Sequence, residues 1–159
     1  MIPLVNHDPR WTRHFAAERG RLLEAFPGSF LAIEHIGSTA IPNLRAKPII
    51  DMIGIVSDLD ACDPVAKTIG TLGYAVRGEN GIPGRRYFTR GGLDAVHFHL
   101  YAKSDPRIDT HLRFRDHLRA NPDSRRKHTP RAAVKSGQAA RATLVAPPAP
   151  TSPRSSAYA

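Results

Sequence analysis

A chain of 159 residues, 41% of them hydrophobic, suits one domain with a real core and is short for several. Its single cysteine, Cys62, excludes an internal disulfide framework and points to a reducing compartment, and no run approaches the roughly 18 apolar residues of a membrane span. The net charge of +9 is unevenly placed: residues 1–123 hold all 14 acidic and 16 of the 23 basic residues, and residues 124–159 hold seven basic residues and no acid.

That last segment, dominated by Ala, Pro, Ser and Thr, has too little apolar surface to offset its ordering entropy and is expected to be a disordered tail. The high isoelectric point therefore describes the tail more than the domain. A nucleic-acid partner is expected only through that tail. The N-terminal MIPLVNHDPRW lacks the charged and apolar regions of a signal peptide, so a cytoplasmic location is the expectation.

In chain order, Asp8-Pro9 reads as the start of a helix whose apolar stripe is Trp11, Phe15, Leu22, Leu23 and Phe26, ended by Pro27-Gly28. Leu31 to Ile36 reads as a strand. Gly37-Ser38-Thr39 follows, then a proline-containing loop with Arg45 and Lys47, then a second strand from Pro48 to Val56. Asp58 to Leu72 reads as a second helix ending at Gly73, with Pro64 in its first turns. A short strand, Tyr74 to Arg77, precedes a glycine-rich loop. Arg85 to Arg90 and Asp94 to Ala102 read as an antiparallel pair about Gly91-Gly92. Asp105-Pro106 opens a helix that runs to Asn121-Pro122 and packs through Ile108, Leu112 and Leu118. The expected fold is α/β, or α+β: a mixed sheet with helices against it.

Chemistry concentrates between Glu34 and Val56. Gly-Ser at a tight turn exposes backbone N–H groups that suit phosphate. Asp51 is the one carboxylate in an otherwise apolar strand, costly to bury unless it faces a cation or an open end. His97 and His99 alternate onto one strand face with Tyr101, which sets two imidazoles side by side for metal binding or proton transfer. Arg85 and Arg86 alternate, so at most one faces the site. His35 packs or hydrogen-bonds at its strand end, Glu34 points the other way, and Arg113, Arg115 and Asp116 read as a solvated helix face or ion pair. There is no P-loop, no G-x-S-x-G elbow and no cysteine pair for a zinc ribbon.

At GSTAIPNLRAKPIID the chain resembles the GrpB family, within the nucleotidyltransferase superfamily. His35-Ile36-Gly37-Ser38-Thr39, Lys47-Pro48-Ile49-Ile50-Asp51, Trp11, Arg86-Tyr87-Phe88, His97-Phe98-His99-Leu100 and Phe114-Arg115-Asp116 carry the resemblance, over roughly residues 1–123. It implies a nucleotidyltransferase-like fold that binds a nucleotide or phosphorylated small molecule. Asp51 and His99 would be catalytic, and Gly37, Ser38, Thr39, Lys47 and Arg86 would hold phosphate. Asp51, with His97 and His99, would hold the metal, either Mg2+ or, through the histidines, another divalent ion.

The superfamily pattern pairs two carboxylates in alternation and adds a third on a neighbouring strand. Ile53 stands at the second position, and the HFHL strand offers only histidines for the third. Two expectations remain: a metal-dependent nucleotidyltransferase with an unknown acceptor, or a binding module of the same fold. Relatives of this type continue beyond the FRD helix into a further helix. This sequence instead changes character near Ser124, as a shifted reading frame in GC-rich DNA would make it.

Overall fold

The computed structural model describes residues 1–128, so most of the expected tail lies outside the described residues. Its centre is a mixed five-stranded sheet in the order β1-β2-β5-β4-β3. The strands are β1 (Ala32–Ile36), β2 (Ile49–Val56), β3 (Ala75–Val76), β4 (Arg86–Arg90) and β5 (Ala95–Ala102). Only β2 and β5 run parallel; β1 pairs with β2, β4 with β5 and β3 with β4, all antiparallel. The helices are α1 (Arg10–Ala25), α2 (Asp63–Thr68), α3 (Pro106–Ala120) and α4 (Pro122–Lys127).

Helix α1 starts as its sequence requires: Asp8 Oδ1 accepts from the Arg10 amide at 2.9 Å and Pro9 occupies the entry. The expected helix over 58–72 is broken. One 310 turn (Asp60–Cys62), the six residues of α2 and a second 310 turn (Ile69–Leu72) replace it. Pro64 holds the first turn of α2, and Gly73 closes the segment at φ +87°. Helix α3 has Asp105 as its N-cap, accepting from Arg107 N, with Pro106 in the first turn. The chain then turns at Asn121 into α4, which crosses the point where the composition had suggested a tail.

The two faces of the sheet differ. One packs Ile33, Ile50, Met52, Val56, Val96, Phe98, Leu100 and Phe88 against Trp11 and Leu22 of α1 and Val65 of α2. Gly54 belongs to this face because an added Cβ would meet Leu100 Cδ2 at 2.3 Å and the Phe98 ring at 2.8 Å. The other face packs Ile36, Ile53, Ile55 and Tyr101 against Ile108 and Leu112 of α3. Strand β2 is apolar on both faces because it is covered on both. Helix α3 covers the part of its face over Ile53, Ile55 and Tyr101, leaving Asp51 and His97 partly open at the start of β2 and β5.

Candidate functional site

Register brings the site together. Asp51 lies opposite His97 across the parallel pair, Ile53 opposite His99, and Tyr87 opposite His99 across the antiparallel pair. Residues two apart share a face, so Asp51, His97, His99 and Tyr87 converge. Asp51 Oδ1 is 3.4 Å from His97 Nδ1 and 3.9 Å from His99 Nε2. Tyr87 stacks on His99 at 4.8 Å and stands edge-on to His97 at 5.8 Å. Burial pushes the Asp51 carboxyl up, but hydrogen bonding and charge from His97 and His99 outweigh it and hold the group at about 2. Burial, then the charge of Asp51, raises the Tyr87 phenol, so it stays a neutral donor.

Gly37 completes one wall. It has φ +70° and ψ −174°, and a Cβ there would sit 2.8 Å from Asp51 Oδ2. Only glycine fits both the backbone and the space. The 310 turn Ser38–Ala40 follows at once, so the Ser38 and Thr39 amides stand at its start, where no intrahelical acceptor exists. Ser38 is half-buried.

The remaining candidates separate. Thr39 is buried, donates from Oγ1 to Ile49 O at 3.0 Å and touches His35 Nε2 at 3.0 Å. Its hydroxyl is thus committed inside the protein, which leaves only its backbone amide for a phosphate contact. Because that hydroxyl already donates to Ile49, His35 must donate from Nε2. His35 stacks on Phe15 at 4.8 Å, on the α1 face, and is part of the core. Burial first, then the charge of Arg119, lowers its pKa to about 4.

Arg86 is a correction. It pairs in register with Leu100 on the α1 face and lies 4.0 Å from Glu79. Arg85 takes the site position instead. Its Nη1 is 3.4 Å from His99 Nδ1 and its guanidinium lies 4.5 Å from the Tyr87 ring centroid. Arg85 is buried and donates to the carbonyls of Glu79 and Asn80 in the glycine-rich loop. Lys47 sits half-buried in the loop four residues ahead of Asp51.

Arg115 is not on a solvated helix face; the ion-pair alternative holds. It is buried, bonds Glu34 Oε2 at 2.7 Å and His35 O at 3.0 Å, and reaches Asp116 Oδ1 at 2.8 Å. It therefore ties α3 to β1, and Glu34 is neutralised by it. His111 of α3 was not singled out by sequence; desolvation and the nearby charge of His99 lower its pKa, with Asp51 opposing. Arg107 covers the Tyr101 ring at 4.8 Å and pairs with Asp105. The signal for Arg85 and Tyr87 was present as alternation along β4, but the face was not.

The donor set does not fit a pair of magnesium ions, which need several hard oxygen ligands. Asp51 is the cluster's one free carboxylate, and Ile53, at the second carboxylate position, is fully buried under α3. Arginine only donates, so His99 Nδ1 accepts from Arg85 and its ring proton lies on Nε2, towards Asp51. His99 would have to change tautomer to ligate with Asp51. Among the described residues no group of three or more His, Cys, Asp or Glu is arranged to hold a metal ion.

A cleft of about 370 Å³ among the described residues is lined by residues including Trp11, His14, Ile50 and Asp94, at the entry to α1. It contains none of the Asp51 cluster, and convergence of titratable groups favours the cluster as the site. No helix among the described residues is long and apolar enough to cross a membrane.

Comparison with known proteins agrees with the motif. A family model described as GrpB protein matches residues 1–143. The chain is 43% identical over 123 residues to the UPF0157 protein YqkA of Bacillus subtilis, covering 77% of this chain and 36% of that protein. It is 33% identical over 128 residues to the glutamate-rich protein GrpB of Alkalihalophilus pseudofirmus, covering 76% and 73%. The crystal structure of GrpB from Enterococcus faecalis superposes with a TM-score of 0.75 at 36% identity, covering 79% of this chain and 77% of that one. The chain spans between about a third and two thirds of the length of several of these curated relatives. Motif, fold and relatives together make the chain a member of the GrpB family, a family of unknown function.

Proposed function

We propose that the domain binds a nucleotide or another phosphorylated small molecule at the open end of the α3 face. The observation that carries this reading is the contact between Gly37 and Asp51. A glycine with φ +70° lets the carboxylate lie against the backbone of a turn whose first amides are free to donate. Arg85 adds a cation whose hydrogen-bond partners are carbonyls and an imidazole rather than carboxylates, so its positive charge is not cancelled locally. Ser38 and Lys47 flank the same turn in sequence.

Binding fits these residues better than two-metal nucleotidyl transfer. Transfer of that type needs a second carboxylate where Ile53 is sealed beneath Ile108 and Leu112. The test is thermal shift on the full chain with nucleoside triphosphates, inorganic pyrophosphate and simple phosphate esters. Each is run with Mg2+, with Mn2+ and with chelator. Ligand at about 100 times Kd stabilises by about 2.7 kcal/mol, a shift of several degrees for a domain of this size. Ser38→Asp, which sets a like charge at the turn without touching the core, is expected to abolish the shift. No shift with any phosphate compound, or an undiminished shift in Ser38→Asp, would sink the reading.

A further inference from the structure

The α1 side of the sheet carries a groove that takes no part in the Asp51 cluster. Two clefts, of about 370 and 200 Å³, share His14, Ile50 and Asp94 and so run into one another along α1. Their floor is apolar, because Trp11, Ile50 and Val96 belong to the core of that face. Leu93 forms part of the rim at the tip of the β4–β5 hairpin and is 99% exposed.

Charge is separated across this groove. Arg21 and Arg90 share one carboxylate, Glu18, at 3.1 and 2.9 Å, so one positive charge is in excess beside it. Of the Arg90 donors only Nη2 has a partner among the described residues, and Nε has none. Asp94, four residues further along the hairpin, lines the same cleft with the opposite charge. Its Oδ1 lies 3.2 Å from His14 Nδ1 and its side chain is 61% exposed. Among the described residues Arg90 pairs with Glu18 and Asp94 with His14, so the guanidinium and the carboxylate face one cleft without neutralising each other.

We propose that this groove binds a free apolar α-amino acid. The ligand carboxylate meets the Arg90 guanidinium, whose planar fork suits that group. The ligand ammonium meets Asp94, and its side chain lies over Ile50 between Trp11 and Leu93. A simple carboxylic acid would leave Asp94 unmatched and an amine would leave Arg90 unmatched. A phosphate ester would bring its additional negative charge against Asp94 and Glu18. The groove lies on the sheet face opposite the Gly37–Asp51 contact, and this assignment does not depend on the phosphate-binding reading.

The test is titration of the ¹⁵N-labelled full chain with L-leucine, L-phenylalanine and L-methionine, followed through backbone amide shifts. Saturable shifts are expected at the N-terminal half of α1 and at the hairpin tip. N-acetylleucine lacks the ammonium and leucinamide lacks the carboxylate, and each is expected to bind about tenfold or more weakly than leucine. Asp94→Asn changes an exposed position and leaves the core intact. It is expected to weaken leucine by a similar factor while leaving N-acetylleucine unchanged. Because Arg90 also holds Glu18, its contribution is read from leucinamide rather than from a variant. No saturable shift at these residues with any of the three amino acids, N-acetylleucine or leucinamide binding as tightly as leucine, or undiminished leucine binding in Asp94→Asn would each overturn the proposal.

Discussion

Glu18 and Asp51 lie on opposite sides of one sheet and keep opposite company. Glu18, on the α1 side, is 4% exposed. Arg90 reaches it at 2.9 Å, Arg21 at 3.1 Å and the Tyr74 hydroxyl at 2.5 Å. Burial and the hydrogen bond to Glu18 push the Tyr74 phenol far up, so it remains a donor. Asp51 is 31% exposed and meets imidazoles at 3.4 and 3.9 Å. Guanidinium stays charged at any pH the fold survives, whereas imidazole titrates near neutrality. A carboxylate ringed by permanent donors is an anchor between α1, β4 and the Tyr74 segment. One that meets only imidazoles, at longer range and with an open side, is not tied down in that way.

The largest effect is expected for Glu18→Ala. It leaves Arg21, Arg90 and Tyr74 without their shared acceptor and is expected to cost about 3–5 kcal/mol. The loss would be read as a lower urea midpoint with unchanged slope. A loss below about 1 kcal/mol would show that Glu18 is no anchor.

The next largest effect is a pH dependence that belongs to the core rather than the site. His35 has a folded pKa of about 4 against an ordinary 6.5. As pH falls the unfolded chain takes the proton first, so stability is full above about 6.5 and declines towards about 4, by up to about 3 kcal/mol. His35→Phe should flatten that limb of a stability-versus-pH curve. A persistent slope there would assign it to other groups.

Asp51 contributes in a separate window. Its carboxyl is depressed from 3.8 to about 2, so its stabilisation is present above about 3.8 and is lost as pH falls through about 2, amounting to at most about 2 kcal/mol. Asp51→Asn should remove the slope between about pH 4 and 2 and leave the His35 limb intact. If Asp51→Asn cost as much at neutral pH as Glu18→Ala, the two carboxylates would not differ in kind. The smallest effect is expected at the solvent-exposed Arg113–Asp109 pair, 2.7 Å apart. Arg113→Ala should change stability by no more than about 0.5 kcal/mol in chemical denaturation.

Much of the fold was legible because its signals are local. The apolar stripe of α1, the alternation of β5 and the Asp-Pro entry to α3 each act within a few residues. The broken helix over 58–72 was half legible: Pro64 marks the uncertainty, but the extent of the two 310 turns depends on how Cys62, Val65 and Ile69 pack beneath the sheet. At the site, the pairing of Gly37-Ser38 with Asp51 and the shared face of His97 and His99 could be read from spacing. Arg85, Tyr87 and Arg115 could not. Alternation says that Arg85 and Arg86 point apart, and only the register of β4 on β5 says which one meets His99. Arg115 looks solvated on a helix wheel, and only the seating of α3 on β1 buries it against Glu34.

By itself the sequence determined the elements, the family motif and a carboxylate-and-imidazole cluster after a Gly-Ser turn, because these depend on short-range sterics and periodicity. Tertiary structure decided which residues share that cluster, which carboxylate is an anchor and which nitrogen of His99 meets Arg85. Those outcomes depend on partners up to 72 residues apart, as between Glu18 and Arg90. The polarity of a hydrogen bond exists only once both partners are in place.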